Sequence, residues 1–238
     1  MSTFPPAMPH GALEEVLPDV FFVTGTMRNE FFGSMWQFSR NMTVVREGER
    51  LTILNSVRLD DDGLRALDGL GRVVNVVRLG DMHGLDDGFY VDRYGATYWG
   101  LPGTTARDGL RPHRELTVDG ELPIGDSSLF VFETTKRPEA ILRIDREGGI
   151  LVACDALQNW VEPDAYFDDE TIAKMKDMGF FTHAGVGLAW VHESTPDPQD
   201  FRRLKGLTFR HVLCGHGKAD LDTTPEAYHA TFQRLFQV

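Results

Sequence analysis

Three apolar runs in this 238-residue chain each end abruptly in small and polar residues, and that pattern restricts the possible folds more than any other feature. Arg72-Val-Val-Asn-Val-Val-Arg78 leads into Leu79-Gly-Asp-Met-His-Gly-Leu-Asp-Asp-Gly88. Gly149-Ile-Leu-Val-Ala-Cys154 leads into Asp155-Ala-Leu-Gln-Asn-Trp160, and Phe209-Arg-His-Val-Leu-Cys214 leads into Gly215-His-Gly-Lys-Ala-Asp220. Strands this apolar are buried on both faces, which requires further layers on either side of the sheet. Layered α/β folds place their sites at such strand ends. Each junction carries a His or an Asp flanked by small residues that let the backbone bend sharply.

The rest of the chain fits layers around these strands. Val20–Val23, Trp36–Ser39, Met42–Val45 and Leu51–Leu54 read as strands, the last two joined by the polar turn Arg46-Glu-Gly-Glu-Arg50. Leu59–Leu70 reads as a helix with aspartates at its start and Leu64, Leu67 and Leu70 on one face. The second half repeats this order. Strands are expected at Leu129–Phe132, Ala140–Ile144 and Gly149–Cys154, then helices at Asp168–Met178 and Pro198–Leu204. The strand Phe209–Cys214 and a helix from Thr224 to Phe236 close the chain. Two similar halves predict an α/β (α+β) fold, a four-layer αββα sandwich with helices outside two central sheets. Residues 1–18, rich in proline, are expected to form an irregular arm, and 19–238 a single domain.

Composition excludes several function classes. Twenty-four Lys and Arg against 36 Asp and Glu give a formal net charge of −12, with no basic run to grip nucleic-acid phosphates or an acidic membrane. No apolar window approaches membrane-span length. The N-terminus shows no basic segment followed by an apolar stretch, so a cytoplasmic location is expected. Cys154 and Cys214 are too few for a disulfide framework, and their apolar surroundings favour buried thiols. The expected partner is a small-molecule substrate.

A carboxylate and two imidazoles converging at strand ends would bind a transition metal. The order of motifs from about Val20 onward resembles the metallo-β-lactamase-fold hydrolases, which share the αββα sandwich. That family carries His-x-His-x-Asp-His after a buried strand, a single His after a later strand, then Gly-Asp, and finally Gly-His near the C-terminus. Cys154-Asp155 stands at the Gly-Asp position, where the family's Asp bridges two metals, and Gly215-His216-Gly217 stands at the last His. Asp81-Met-His83-Gly-Leu85-Asp86 matches the first motif with His83 as its second His, and Gly88 then falls on the downstream Gly. In that register Asp81 replaces the first His, Leu85 the Asp and Asp86 the last His. Shifting by two makes His83 the first His and Asp87 the Asp.

Other departures reduce the nitrogen ligands further. The middle His is missing from Phe130-Val-Phe-Glu-Thr-Thr-Lys-Arg-Pro-Glu139, where Glu133 is the first polar residue past the strand. Asn55 stands where the early strand-turn usually has Asp. The resemblance thus implies a divergent branch with a metal centre built from His83, Asp86 or Asp87, Asp155 and His216. One divalent ion (zinc, iron or manganese) fits that oxygen-rich set. The implied reaction is hydrolysis by metal-activated water of an ester, amide or phosphoester, with Asp86 and Asp155 as catalytic residues.

Structural roles compete at each position. Asp155 could cap its turn, Asp86 and Asp87 suit a solvated N-cap pair, and Glu133 suits a salt bridge to Lys136, Arg137 or Arg143. Trp160 is placed near the site mouth, and Lys218 could orient an anionic substrate. His10, His113, His183, His192 and His229 fall in the arm, in loops or on the last helix. The alternative to a hydrolase is a binding module that has lost the standard dinuclear site. An iron-dependent redox enzyme rests on ligand type alone.

Overall fold

The first sheet begins as an antiparallel ladder and turns parallel where helices enter. In this computed structural model, which describes residues 4–31, 33–106 and 109–238, the ladder comprises β1 (Glu14–Leu17), β2 (Val20–Phe31), β3 (Ser34–Glu47) and β4 (Arg50–Leu54). Helix α1 (Asp61–Leu70) then returns the chain to β5 (Arg72–Arg78), parallel to β4, and α2 (Asp87–Tyr94) leads to β6 (Thr97–Gly100). The short β7 (Arg114–Glu115) completes a seven-stranded sheet in the order β1 to β7.

The second sheet has four strands in the order β11-β10-β9-β8. Its members are β8 (Ser127–Val131), β9 (Ala140–Ile144), β10 (Ile150–Ala153) and β11 (His211–Leu213), with only β10 and β11 parallel. Between β10 and β11 the chain forms α3 (Asp169–Asp177), α4 (Leu188–Ser194) and α5 (Pro198–Leu204), and α6 (Pro225–Phe236) follows β11.

Three apolar layers match the three contacts of an αββα sandwich. Val20, Phe22, Val45, Leu54 and Val77 meet Leu142, Ile144, Ile150 and Val152 between the sheets. On the outer face of the first sheet Phe21, Val23, Ile53 and Val76 pack against Leu64 and Leu67 of α1 and Tyr90 of α2. On the outer face of the second, Ile141, Leu151 and Val212 pack against Trp190, Phe201, Tyr228 and Phe232. Strand β5 is buried on both faces as its sequence predicts, because Val76 and Val77 enter different layers. The aspartates expected at the starts of two helices act as caps, Asp60 accepting from Gly63 N and Asp168 from Thr171 N, and Asp197 likewise accepts from Gln199 N. Among the described residues no helix is long and apolar enough to cross a membrane.

Two expectations change. Residues 14–17, expected in the irregular arm, form an edge strand on β2, with Glu14 opposite Phe22. His10 is likewise anchored, pairing through its backbone with Gly25 and accepting from Asp60 N at 2.9 Å. Trp36–Ser39 and Met42–Val45, read as separate strands, are parts of the single 14-residue β3. The polar Arg40-Asn41 pair read as a break is buried instead, at 7% and 1% exposure. Its side chains bond to other loops, Arg40 Nη1 to Ser56 O and Asn41 Nδ2 to Cys214 O. With the 12-residue β2 paired along it, the β2–β3 hairpin runs past the residues paired with β1 and β4, and Asn41 ties it to the loop after β11.

Candidate metal centre

The three strand-end junctions identified in the sequence meet at one place. After β5, the buried Arg78 guanidinium folds back on its own loop. It donates to Gly80 O at 3.0 Å, Thr105 O at 2.6 Å and Asp81 O. This pins the segment that presents His83. After β10, Glu139 Oε1 accepts the N–H groups of Asp155 and Ala156, each at 2.8 Å, and so fixes the Asp155 turn. After β11, Asn41 of β3 holds the third loop: its N–H donates to Gly215 O and its side chain to Cys214 O and Gly217 O. Gly217 has φ +88° and lies so close to Asn159 that a Cβ would come within 2.1 Å of its carbonyl carbon. Only glycine permits that turn.

These constraints bring His83, Asp155 and His216 together. The two Nε2 atoms lie 3.1 Å apart, His216 Nε2 is 3.1 Å from Asp155 Oδ1, and His83 Nε2 is 3.5 Å from Asp155 Oδ2. His216 Nδ1 lies 3.0 Å from Ser39 O. A carbonyl oxygen can only accept, so Nδ1 carries a proton and Nε2 is the ring nitrogen that faces the cluster. Burial opposes ionisation of Asp155, but the facing imidazoles outweigh it and hold the carboxyl below its usual range.

A divalent ion fits this donor set. Metal–ligand bonds of about 2.0–2.2 Å put adjacent ligand atoms about 2.8–3.6 Å apart in octahedral or tetrahedral geometry; the Nε2–Nε2 separation and the contact of each imidazole with one of the two Asp155 oxygens are of that size. Among the described residues Cys154 also lies within this neighbourhood, its candidate ligand atom within 4.8 Å of those of His83 and Asp155. Burial and the adjacent Asp155 and Glu139 carboxylates push its thiol well above the ordinary range, so it keeps its proton and donates to Asp155 Oδ2 at 3.4 Å.

Other residues singled out in the sequence lie elsewhere. Asp86, expected as a ligand and catalytic group, is bound by Arg40 Nη2 and the backbone N–H of Arg58. Asp87 is fully buried at the start of α2, accepting from Ser56 Oγ at 2.5 Å and Tyr98 OH at 2.9 Å. Neither joins the donor cluster. The short α2 explains this, since the chain turns helical at Asp87 and carries both carboxylates back over the first sheet. Glu133 is exposed and paired with Arg203, not with the lysine or arginines nearer in sequence. Lys218 bonds Glu162 away from the site. Asn55 donates to Ala153 O, tying β4 to β10. Asp81 pairs with Arg137 at the rim.

A cleft of about 500 Å³ opens from the donor cluster. Trp160, expected near the mouth, instead lies buried at the inner end, its ring centroid 4.6 Å from that of His216. The hairpin residues Met27, Glu30, Phe31, Trp36 and Phe38 form one wall, and Gln158, Met175, Phe180 and Trp190 contribute to the rest. Sequence reasoning missed the hairpin wall and Glu139. Glu139 had one local signal, an acid immediately before the apolar run Ala140–Ile144. The burial of these residues and their approach to the cluster depend on tertiary packing.

Comparisons agree with this architecture. Among solved structures the chain is similar to the DIM-1 metallo-β-lactamase exposed to ceftazidime, with a TM-score of 0.62, 14% identity and coverage of 98% of this chain and 99% of that one. It is similar to TMB-1 at TM-score 0.63 and 15% identity, covering 97% and 99% of the two chains. A metallo-β-lactamase from Erythrobacter litoralis gives 0.56 and 12%, covering 94% and 92%. No family model and no curated protein matches. With two central sheets flanked by helices and nearly the full length of both chains covered, this chain has the metallo-β-lactamase fold.

Proposed function

We propose that the chain is a metal-dependent hydrolase with a mononuclear centre at His83, Asp155 and His216. The observation that carries this reading is the convergence of two imidazole Nε2 atoms and the Asp155 carboxylate, with contacts of 3.1–3.5 Å, at the inner end of a cleft. A divalent ion held there supplies a Lewis acid that polarises an acyl or phosphoryl oxygen and makes water acidic near neutral pH. His216, with Nδ1 committed to Ser39 O, presents Nε2 toward the ion. Asp155 stays ionised between the imidazoles and orients the attacking water through its carboxylate. Trp160 and Phe38 shield the inner end from bulk solvent. In the net reaction water adds to the acyl or phosphoryl centre, the bond to the leaving oxygen or nitrogen breaks, and the leaving group takes a proton.

The test is turnover of chromogenic ester, phosphodiester and lactam substrates by zinc-loaded protein. At least one class should be hydrolysed, a chelator should abolish the rate, and Asp155→Asn should lower it by more than about a hundredfold, the upper range for losing a group that merely supports a ligand. No turnover of any class would contradict the proposal. A second reading follows from the same donors, because two imidazoles and one carboxylate also form the ligand face of mononuclear iron redox sites. Zinc is redox-inert, so turnover with zinc alone separates hydrolysis from redox chemistry.

A further inference from the structure

The cleft walls also carry information about which substrates can enter. Beyond the donor cluster they are aromatic and thioether surface: Trp36, Phe38, Trp160 and Phe180 with Met27 and Met175. Charge is confined to the rim. Glu30, Asp81 and Glu193 supply three carboxylates there, and Arg137 is the one cation among the described lining residues. That cation is engaged on both sides. Its Nη1 lies 3.0 Å from Asp81 Oδ2 and its Nη2 3.7 Å from Glu193 Oε2. Nearby cations outside the lining are also engaged. Arg78 is committed to backbone carbonyls, Lys174 pairs with Glu170 at 2.7 Å, and Lys218 pairs with Glu162 at 2.6 Å.

An anionic group on the substrate would therefore face net negative charge with no unpaired Lys or Arg among the described lining residues to receive it, and the unpartnered N–H groups of Gln158 and Trp190 are buried out of its reach. Leaving a desolvated carboxylate unpaired is costly, and placing it beside like charges adds repulsion. A flat apolar body loses nothing against these walls, and a cationic end gains from aromatic faces and the acidic rim. We infer that the cleft takes apolar, preferably aryl, acyl substrates whose far end is uncharged or cationic, and discriminates against anionic ones. This rests on the hydrolase reading for the word acyl, while the charge selectivity of the cleft stands on the lining alone.

Three matched naphthalene probes test it: a neutral amide, a carboxylate and a trimethylammonium salt, each titrated against tryptophan fluorescence. Binding is measured in the holoprotein and in His83→Ala, where the donor cluster is broken and a carboxylate has no intact metal centre to seek. The neutral and cationic probes should bind at least about tenfold more tightly than the carboxylate in His83→Ala, a difference of about 1.4 kcal/mol. Glu193→Gln, which frees one side of Arg137, should improve carboxylate binding at least about threefold and leave the neutral probe unchanged. A carboxylate that binds in His83→Ala as tightly as the neutral probe, or failure of all three probes to bind, would overturn the inference. Selective probe binding without ester, phosphodiester or lactam turnover would instead count against the hydrolase reading and leave the selectivity established.

Discussion

At the scale of single residues the site depends on groups that support the donors as much as on the donors. Glu139 is the clearest case: it is fully buried, contributes no ligand, and accepts two N–H groups from the Asp155 turn. Glu139→Gln retains an acceptor oxygen, whereas Glu139→Ala leaves two buried donors unpaired. The alanine variant should lose about 3 kcal/mol or more of stability and bind metal about tenfold more weakly, with glutamine close to the parent. Denaturant unfolding and metal titration of the two variants check this.

Asp87 shows a carboxylate used structurally. Burial raises its pKa, with Ser56 and Tyr98 hydrogen bonds opposing the shift, so the folded value lies above the unfolded one. A group shifted in that direction contributes stability that is complete below the unfolded pKa, near 3.8, and is lost as pH rises through the folded pKa. The stability difference between parent and Asp87→Asn should therefore shrink as pH is raised from about 4. Urea unfolding across pH measures it, and a difference that widens with pH would contradict the assignment.

At the scale of elements the site is an arrangement of strand ends, and glycine allows them to meet. A Cβ at Gly215 would lie 2.8 Å from both Cys154 O and His83 Cε1. Gly215→Ala keeps every donor but pushes the β11 loop away from His83. Metal affinity should fall by about tenfold or more, as it does when ligand orientation is disturbed, while the folded state persists. Unchanged affinity would mean that the loops are not held as tightly as their contacts indicate. The β2–β3 hairpin is the other element-level device. Trp36→Ala removes part of the cleft wall formed by Trp36, Phe31 and Phe38, and should raise KM for aryl substrates without altering metal content.

These same elements explain what the sequence could and could not reveal. The strands β5, β10 and β11 announce themselves by continuous apolar character, and His83, Asp155 and His216 by their positions just beyond them. The hairpin extension was hidden because Arg40 and Asn41 read as a polar interruption, although both side chains are buried bridges to other loops. Asp86 and Asp87 were misplaced for a related reason. A pair of acids beside a motif histidine suits either ligation or a helix start, and only the turn into α2 decides between them.

At the scale of the whole molecule, two sheets packed through one apolar layer bring residues from distant parts of the chain to a single edge. His83 follows the first sheet's β5, while Asp155 and His216 follow β10 and β11 of the second, so a bound ion would link the two sheets. Folding and metal binding should be coupled accordingly. Free zinc at about a hundredfold over its dissociation constant should add about 2.7 kcal/mol of stability, seen as a rise in Tm. The surplus of acidic residues, which gives the chain its net charge of −12, contributes one carboxylate to the donor cluster and three to the cleft rim.

The central claim is that His83, Asp155 and His216 hold one ion, and elemental analysis of the purified protein tests it most directly. After exposure to zinc, iron or manganese and removal of the excess, the parent should carry about one equivalent of metal, as expected for a single three-ligand site. His83→Ala and His216→Ala should each retain almost none while remaining folded. A folded parent that takes up none of these metals, or variants that hold as much as the parent, would contradict the account.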